Sequence, residues 1–509
     1  MLSAAPGWLC RLARIPTTAI ETQTGKARGH LSLPCMKFSS GLSSRRKRWL
    51  LWIAVGLLLR LILIAVPGPV DDDTGVYLEL GHNLLHRGTY GIADGDDLSP
   101  SIFRLPGYPL ILATTEEAFS RFWPDGWMNV LYILQTLADL AAGLLLAAFA
   151  RRHLSERAAE IALILAMLCP FTAAYARIGM TECLSVFAIS LGIYAAGRAL
   201  AAAQAGGCDA WGLVLAGCAA ALATLLRPDG VLLMAMLGGG ILWYTARMRM
   251  TRSRLSWQQL RRAILAVAIF CLVALAPLAP WTMRNWQAFH VFQPLAPRYV
   301  NDPGERVNLG FYRWMRTWAV EYNSTCTVFW HVGELDIDIN DLPARAFDSP
   351  EQKEQTRQLV AEYNRWHGIS EELDGRFAAL AEERVRASLL RYYLELPVLR
   401  VLDMTLRPRT YEFELAPDWL NWSTHSGESA LAVFLGVINL SYAVLAIWGF
   451  LRGRVPWAMM LGGYILLRCL LLATVENSEP RYTMQFFPIL ILAAAAGLAA
   501  KSNPGLKPS

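Results

Sequence analysis

Charge is scarce in this sequence. Asp, Glu, Lys and Arg together make up 17% of its 509 residues, where a soluble domain carries about 25%. With 54% hydrophobic residues and a mean hydropathy of +0.32, the composition excludes an ordinary soluble enzyme. Cysteine chemistry is missing too. None of the nine cysteines sits at a zinc-type spacing with histidine, and Cys326 is the only one in the large polar stretch, which excludes an internal disulfide there. No internal repeat is visible, so an inverted-repeat transporter gains no support. The net charge of +6 does not point to nucleic acid, because the basic residues cluster in short loops between apolar runs. The N-terminus has no apolar core before a small-residue cleavage site, so it does not read as a signal peptide.

What is present is a series of apolar runs, several reaching the roughly 20 residues that span a bilayer. The sequence predicts an all-α polytopic membrane protein of about ten transmembrane helices. Residues 1–48 read as a disordered, basic cytoplasmic N-terminus, within which Met36 looks like a natural start. The membrane module is expected over 49–284, its first outer loop over 67–128. An extracytoplasmic insert, mainly helical or mixed, follows over 285–428. The last helices fall at 429–500 and a cytoplasmic tail at 501–509. The Arg45–Arg48 cluster, Arg151-Arg152, the run from Arg247 to Arg262, Arg452-Gly-Arg454 and Lys501 all fall on one side, the cytoplasmic one by the positive-inside rule. A multi-pass protein of a bacterial inner membrane with both termini inside suits this pattern.

The first outer loop is where chemistry is expected. Asp71, Asp72 and Asp73 follow the first span directly. From Asp73, Tyr77, Leu80 and Leu84 recur on one helical face, which predicts an interfacial helix beginning at the acid, one of two interfacial helices expected in this loop. Further on, Arg104 precedes Pro106 and Pro109, which are expected to keep that segment from ordinary helix. On the predicted topology Glu182, Arg227, Arg284, Asn285, Glu479, Arg481 and Tyr482 reach the same outer interface, and Arg60 and Arg468 lie within spans. Arginines gathered at one leaflet suit an anionic lipid headgroup.

Plainer readings compete. Asp72 or Asp73 caps a helix, Arg60 and Arg468 snorkel or pair with an acid, Asp139 serves helix packing, Arg227-Pro228 ends a helix, and Glu182 caps the fourth span. A divalent metal on Asp71 and Asp73 is a lesser alternative to a metal-free site.

Six short motifs occur in order: Asp73-x-x-x-Tyr77 with Gly88-x-Tyr90, Arg104-x-Pro-Gly-Tyr108-Pro109, Thr181-Glu182, Leu226-Arg-Pro228, Pro280-Trp-x-x-Arg284-Asn285 and Glu479-Pro-Arg481-Tyr482. Together they resemble the GT-C superfamily of lipid-linked-sugar glycosyltransferases, the group of protein O-mannosyltransferases, aminoarabinose transferases and rhizobial lipopolysaccharide-core transferases. The resemblance implies inverting transfer of a sugar from a polyprenyl-phosphate donor to an acceptor hydroxyl on a lipid, glycan or protein at the outer face. It implies Asp73 as general base, with Asp71 and Asp72 as supporting acids. Arg104, Tyr108, Glu182, Arg284, Asn285, Glu479, Arg481 and Tyr482 would bind the donor phosphate or sugar, with no metal required. A transporter or flippase of a lipid-linked saccharide is the rival, and it predicts polar residues lining a path across the membrane.

Overall fold

The computed structural model describes residues 44–66, 68, 72–95, 97–250 and 257–499, with the backbone alone for 44, 72, 245–250 and 258–260. Asp71, the basic tract before residue 44, Arg252, Arg254 and the tail from Lys501 therefore lie outside the described residues.

The described chain is a helical membrane protein. Helix α1 (Ser44–Ala65) leads to α2 (Asp72–Arg87), a hairpin of β1 (Gly91–Asp94) and β2 (Asp97–Pro100), and α3 (Gly107–Phe119). Then come α4 (Trp127–His153), α5 (Glu156–Met167), α6 (Pro170–Tyr175), α7 (Glu182–Gln204), α8 (Ala210–Leu226), α9 (Val231–Met250), α10 (Trp257–Leu275) and α11 (Leu278–Phe289). The insert holds α12 (Leu309–Arg316), the single turn α13 (Tyr322–Ser324), α14 (Pro350–Trp366), α15 (Glu371–Ala387) and α16 (Leu396–Leu406). Helices α17 (Ser426–Leu451), α18 (Ala458–Leu472) and α19 (Phe487–Leu498) complete the bundle.

Among the described residues, five helices are long and apolar enough to cross a bilayer, or six if α10 and α11, bent by 47° at Pro277, count as one span. The apolar helices Ala210–Leu226, Pro228–Tyr244 and Ala458–Leu472 are shorter. The apolar run over about 159–174, read from the sequence as one continuous third span, is split into α5 and α6. Pro170 has no N–H to donate and holds Cys169 extended (φ −67°, ψ 110°), which breaks the helix.

That break explains a buried cation. Arg60 of α1 is fully buried. It donates to the freed carbonyls of Met167 (2.9 Å) and Ala166 (3.2 Å) and to Gly56 O in its own helix (2.8 Å). Its charge is matched by Asp139 of α4, at 2.5 Å. Arg60 thus caps a broken span inside the bundle, where water cannot.

The stretch between α1 and α4 holds two helices as expected, α2 and α3, and also the β1–β2 hairpin, which was not expected. The proline-containing segment is a correction as well. Pro106 is the N-cap of α3 and Pro109 lies in its first turn, where a missing N–H breaks no helical bond. Two glycines set the position of these helices. A Cβ on Gly81 would lie 2.2 Å from Pro109 O, and one on Gly107 would lie 2.6 Å from Leu225 O. Only glycine lets α2 touch the backbone of α3, and lets α3 seat on the end of α8.

The insert has its own core. Phe311, Trp314, Met315 and Trp318 pack against Leu359, Val360, Tyr363, Phe377 and Leu380. It is helical among the described residues. Helix α16 buries Leu396 and Met404 while Val398, Leu399, Leu402 and Leu406 stay exposed, an apolar outer face beside α17 and α18.

Candidate active site

Asp73 stands in the first turn of α2. Thr74 beside it donates to Gly179 O (2.9 Å), which ties this turn to the loop between α6 and α7. Arg104 Nη2 donates to Asp73 Oδ1 at 2.5 Å, and Arg481 Nη1 donates to Asp73 Oδ2 at 3.2 Å. Each carboxylate oxygen therefore faces a different arginine, one from the first loop and one from the segment Pro480–Phe486 before α19. Arg104 also lies 5.8 Å from the centroid of the Tyr77 ring, one turn along α2. Its Nε is buried without a hydrogen-bond partner among the described residues.

A second set of charges lies beside the first. Glu182 opens α7 and is fully buried. Its Oε1 accepts from Arg227 Nη1 at 2.5 Å, and Thr181 Oγ1 accepts from the same nitrogen at 3.2 Å. Asp229 joins two cations, with Arg227 Nε at 3.3 Å and Arg468 Nη2 at 3.0 Å. Arg468 of α18 also donates to Tyr482 O (2.7 Å). Glu479 pairs with Arg481 Nε, and its Oε1 accepts from Tyr482 Oη (2.8 Å) and Asn477 Nδ2 (2.6 Å). The Tyr482 ring lies between Arg227 (5.5 Å) and Arg481 (5.6 Å). Asp73, Glu182, Asp229 and Glu479 thus interleave with Arg104, Arg227, Arg468 and Arg481 at one end of the bundle, the end where α1 finishes.

Burial pushes the Asp73 carboxyl up, but Arg481 and then Arg104 outweigh it and hold the group below the usual carboxylate range. Burial acts against the Arg104 charge, and Tyr77 and Asp73 restore it, so its pKa is raised. Both groups are ionised at neutral pH.

Three predicted site residues stand elsewhere. Arg284 donates to Ser101 O (2.7 Å), to Asn285 Oδ1 (3.1 Å) and to Tyr90 O, and lies over the rings of Tyr90, Trp281 and Phe289. It clasps both ends of the hairpin. Asn285 is buried and donates to Gln293 O (2.7 Å). Tyr108 is buried, donates to Gln135 Oε1 (2.9 Å) and packs edge-on against Tyr77. Conversely, Asp229 joins the cluster although sequence reasoning missed it. The signal was the acid two residues after Arg227, hidden by reading Arg227-Pro228 as a helix end. Arg468, read only as an intramembrane cation, is a full member.

Among the described residues no group of three His, Cys, Asp or Glu side chains stands together as a metal site. Asp71 lies outside the described residues, and Asp72 is described in its backbone alone.

Residues 125–281 match the family model for dolichyl-phosphate-mannose-protein mannosyltransferases. The likeness to GT-C glycosyltransferases drawn from the motifs thus has a family match beneath it, over a stretch holding Glu182 and Arg227 but neither Asp73 nor Arg481. No curated protein matches the chain. Among solved structures it is similar to the Archaeoglobus fulgidus oligosaccharyltransferase AglB in complex with an inhibitory peptide and a dolichol-phosphate, at 13% identity and a TM-score of 0.48, covering 89% of this chain and 50% of that one. It is also similar to ArnT from Cupriavidus metallidurans bound to undecaprenyl phosphate, at 15% identity and a TM-score of 0.39, covering 88% and 76%. The chain spans about half the length of the oligosaccharyltransferase.

Proposed function

We propose that this protein transfers a sugar, with inversion, from a polyprenyl-phosphate donor to an acceptor hydroxyl at the outer face of a bacterial inner membrane. The observation that carries the reading is the Asp73 carboxylate, ionised, partly buried and held between Arg104 and Arg481. The family match over 125–281 supports it.

The chemistry needs an acid and cations that exchange partners. As the donor phosphate arrives, its oxygens take the guanidiniums of Arg104 and Arg481 from Asp73. Asp73, released, takes the acceptor hydroxyl proton as the acceptor oxygen bonds to the anomeric carbon. The bond from that carbon to the phosphate oxygen breaks, and the electron pair leaves with the polyprenyl phosphate. A phosphate leaving group needs cations more than a proton donor. Arginines supply them, so the reading requires no metal. Glu182, Asp229 and Glu479 orient the arginines, and Arg284 braces the loop that carries Arg104.

Ten crossings follow if the bent α10–α11 pair, the broken α5–α6 pair and the three shorter apolar helices each traverse the bilayer beside the five long ones. Both termini then lie in the cytoplasm, and the insert sits over the outer mouth. The charges gather at one end of the bundle, which favours a transferase over a transporter with a polar path.

The test is transfer of labelled sugar from a polyprenyl-phosphate donor by the detergent-solubilised protein, with a lipid extract of the host as acceptor pool. Wild type should release polyprenyl phosphate, and Asp73→Asn should not. Equal turnover by the two would refute Asp73 as base. Donor movement across liposomes without turnover would instead favour the transporter.

A further inference from the structure

The backbone on either side of Arg481 is gripped by a buried arginine. Arg409 Nη1 donates to Pro480 O at 2.8 Å, and Arg468 Nη2 donates to Tyr482 O at 2.7 Å. Arg409 Nη2 donates further to Thr483 Oγ1 at 2.6 Å. Arg468 comes from α18 and already belongs to the charged cluster. Arg409 comes from the loop between α16 and α17, where the chain leaves the insert, and it stands in none of the six motifs.

Arg409 is itself firmly seated. It is fully buried, with its guanidinium over the rings of Phe171 (5.5 Å) and Phe487 (5.1 Å). Its Nε donates to Asn439 Oδ1 at 3.4 Å, and Asn439 Nδ2 donates in turn to Thr405 O (2.8 Å) and Arg407 O (3.3 Å). Asn439 lies midway along α17, so this loop is pinned to a membrane span. The charge is matched by Glu412, also fully buried, whose Oε1 stands 3.6 Å from Arg409 Nη1. The plainer reading is a cation that caps loop carbonyls, as Arg60 does. What sets Arg409 apart is the turn it grips, because that turn carries the side chain that meets Asp73.

We propose that Arg409 is a positioning residue: it clamps the turn Pro480–Thr483 so that the Arg481 guanidinium stays within reach of Asp73 and of the donor phosphate. The part about the phosphate rests on the transferase reading above. Arg481 reaches Asp73 at 3.2 Å, the long end of the range for an N–H donor and an oxygen, so a small drift of the turn breaks the contact. An arginine suits the task because its planar fork meets Pro480 O and Thr483 Oγ1 together, which a lysine cannot do in the same geometry. Through Arg409 the segment leaving the insert fixes the place of a cation in the site, without touching the reacting atoms.

The test follows protonation of Asp73 by infrared titration of the full-length protein in detergent. The carboxyl band is assigned by subtracting the same protein carrying Asp73→Asn. The variant combines Arg409→Met with Glu412→Gln, which removes the clamp and leaves no unpaired buried acid behind. With Arg481 released, Arg104 alone opposes the burial of Asp73, so the carboxyl should keep its proton to a pH about one unit higher than in wild type. An unchanged titration overturns the proposal. So does an equal rise in Arg60→Met, which loosens the bundle away from Arg481. If the double variant does not fold, Thr483→Val decides: it removes one grip without touching a charge and should give a smaller rise, and no rise overturns the proposal. Sugar transfer on the same samples reports separately on the transferase reading, and the double variant should lose about tenfold. A wild type without turnover would overturn that reading, while the titration still decides the clamp.

Discussion

Asp73 and Arg481 are 408 residues apart in sequence, and their side chains meet at 3.2 Å. The contact joins the first loop after the first span to the last loop before the final helix.

On the proposed mechanism, substituting Asp73 by Asn keeps the shape and removes the base. Transfer should fall by at least about 100-fold, while affinity for undecaprenyl phosphate holds or rises, because Arg104 and Arg481 lose a competing anion. Radiolabelled transfer and a ligand-induced thermal shift, run on one preparation, check both halves.

The acid side of the pH profile follows from the same contact. Arg481 and Arg104 hold the Asp73 carboxyl below the usual carboxylate range against its burial. The base form is then present at all pH values above that lowered pKa and disappears only as pH falls through it. Transfer in wild type should show no acidic limb down to about pH 5. Arg104→Gln removes one of the two lowering charges and leaves the burial. Its limb should move to higher pH, measured as kcat/KM from pH 4 to 8.

Asp229 balances two cations, Arg227 and Arg468, and Arg468 is fully buried. Asp229→Ala strands that charge and should destabilise the protein by about 3 kcal/mol. A fall of several degrees in the melting temperature in detergent would register it. An unchanged melt would mean that Glu182 on Arg227 and Gln485, whose Oε1 accepts from Arg468 Nη2 at 3.1 Å, suffice.

Arg60 and Asp139 offer a cycle. Either Arg60→Met or Asp139→Leu leaves an unpaired charge inside the bundle, at a cost of about 3–5 kcal/mol. The double variant should recover only part of this, because Arg60 also caps the carbonyls of Ala166 and Met167. Full recovery in the melts would reduce Arg60 to a counter-ion.

Arg284 separates positioning from binding. Its guanidinium is spread over the carbonyls of Tyr90 and Ser101, and Tyr90 Oη in turn donates to Arg104 O at 3.1 Å. Arg284→Lys cannot span both carbonyls. Transfer should drop by about tenfold with donor-phosphate affinity changed by less than about threefold. A larger loss of affinity would place Arg284 on the phosphate.

Much of the charged cluster was legible before any coordinates, because ionised groups next to apolar runs are conspicuous. Asp73, Arg104, Glu182, Glu479 and Arg481 stand out for that reason. Contacts made to backbone leave no such mark. Nothing in the Arg284 neighbourhood announces that its partners are two carbonyls nearly two hundred positions upstream. The hairpin escaped because Gly91-Ile-Ala-Asp94 and Asp97-Leu-Ser-Pro100 hold one β-branched residue, Ile92, and no aromatic, where such residues mark strands, although Asp94-Gly95 was a turn signal. The divided third span escaped because hydropathy runs straight across Pro170 while the hydrogen-bond ladder does not.

The lateness of Arg481 in the chain has a consequence for biosynthesis. Spans emerge from the ribosome in order, so Asp73 and Arg104 are already in place when most of the protein is still unmade. Until the segment Pro480–Phe486 has been inserted, the acid lacks its second arginine. On the proposed mechanism a nascent or prematurely terminated chain would therefore occupy the membrane without consuming donor lipid, because its charged cluster is incomplete until Pro480–Phe486 has been made.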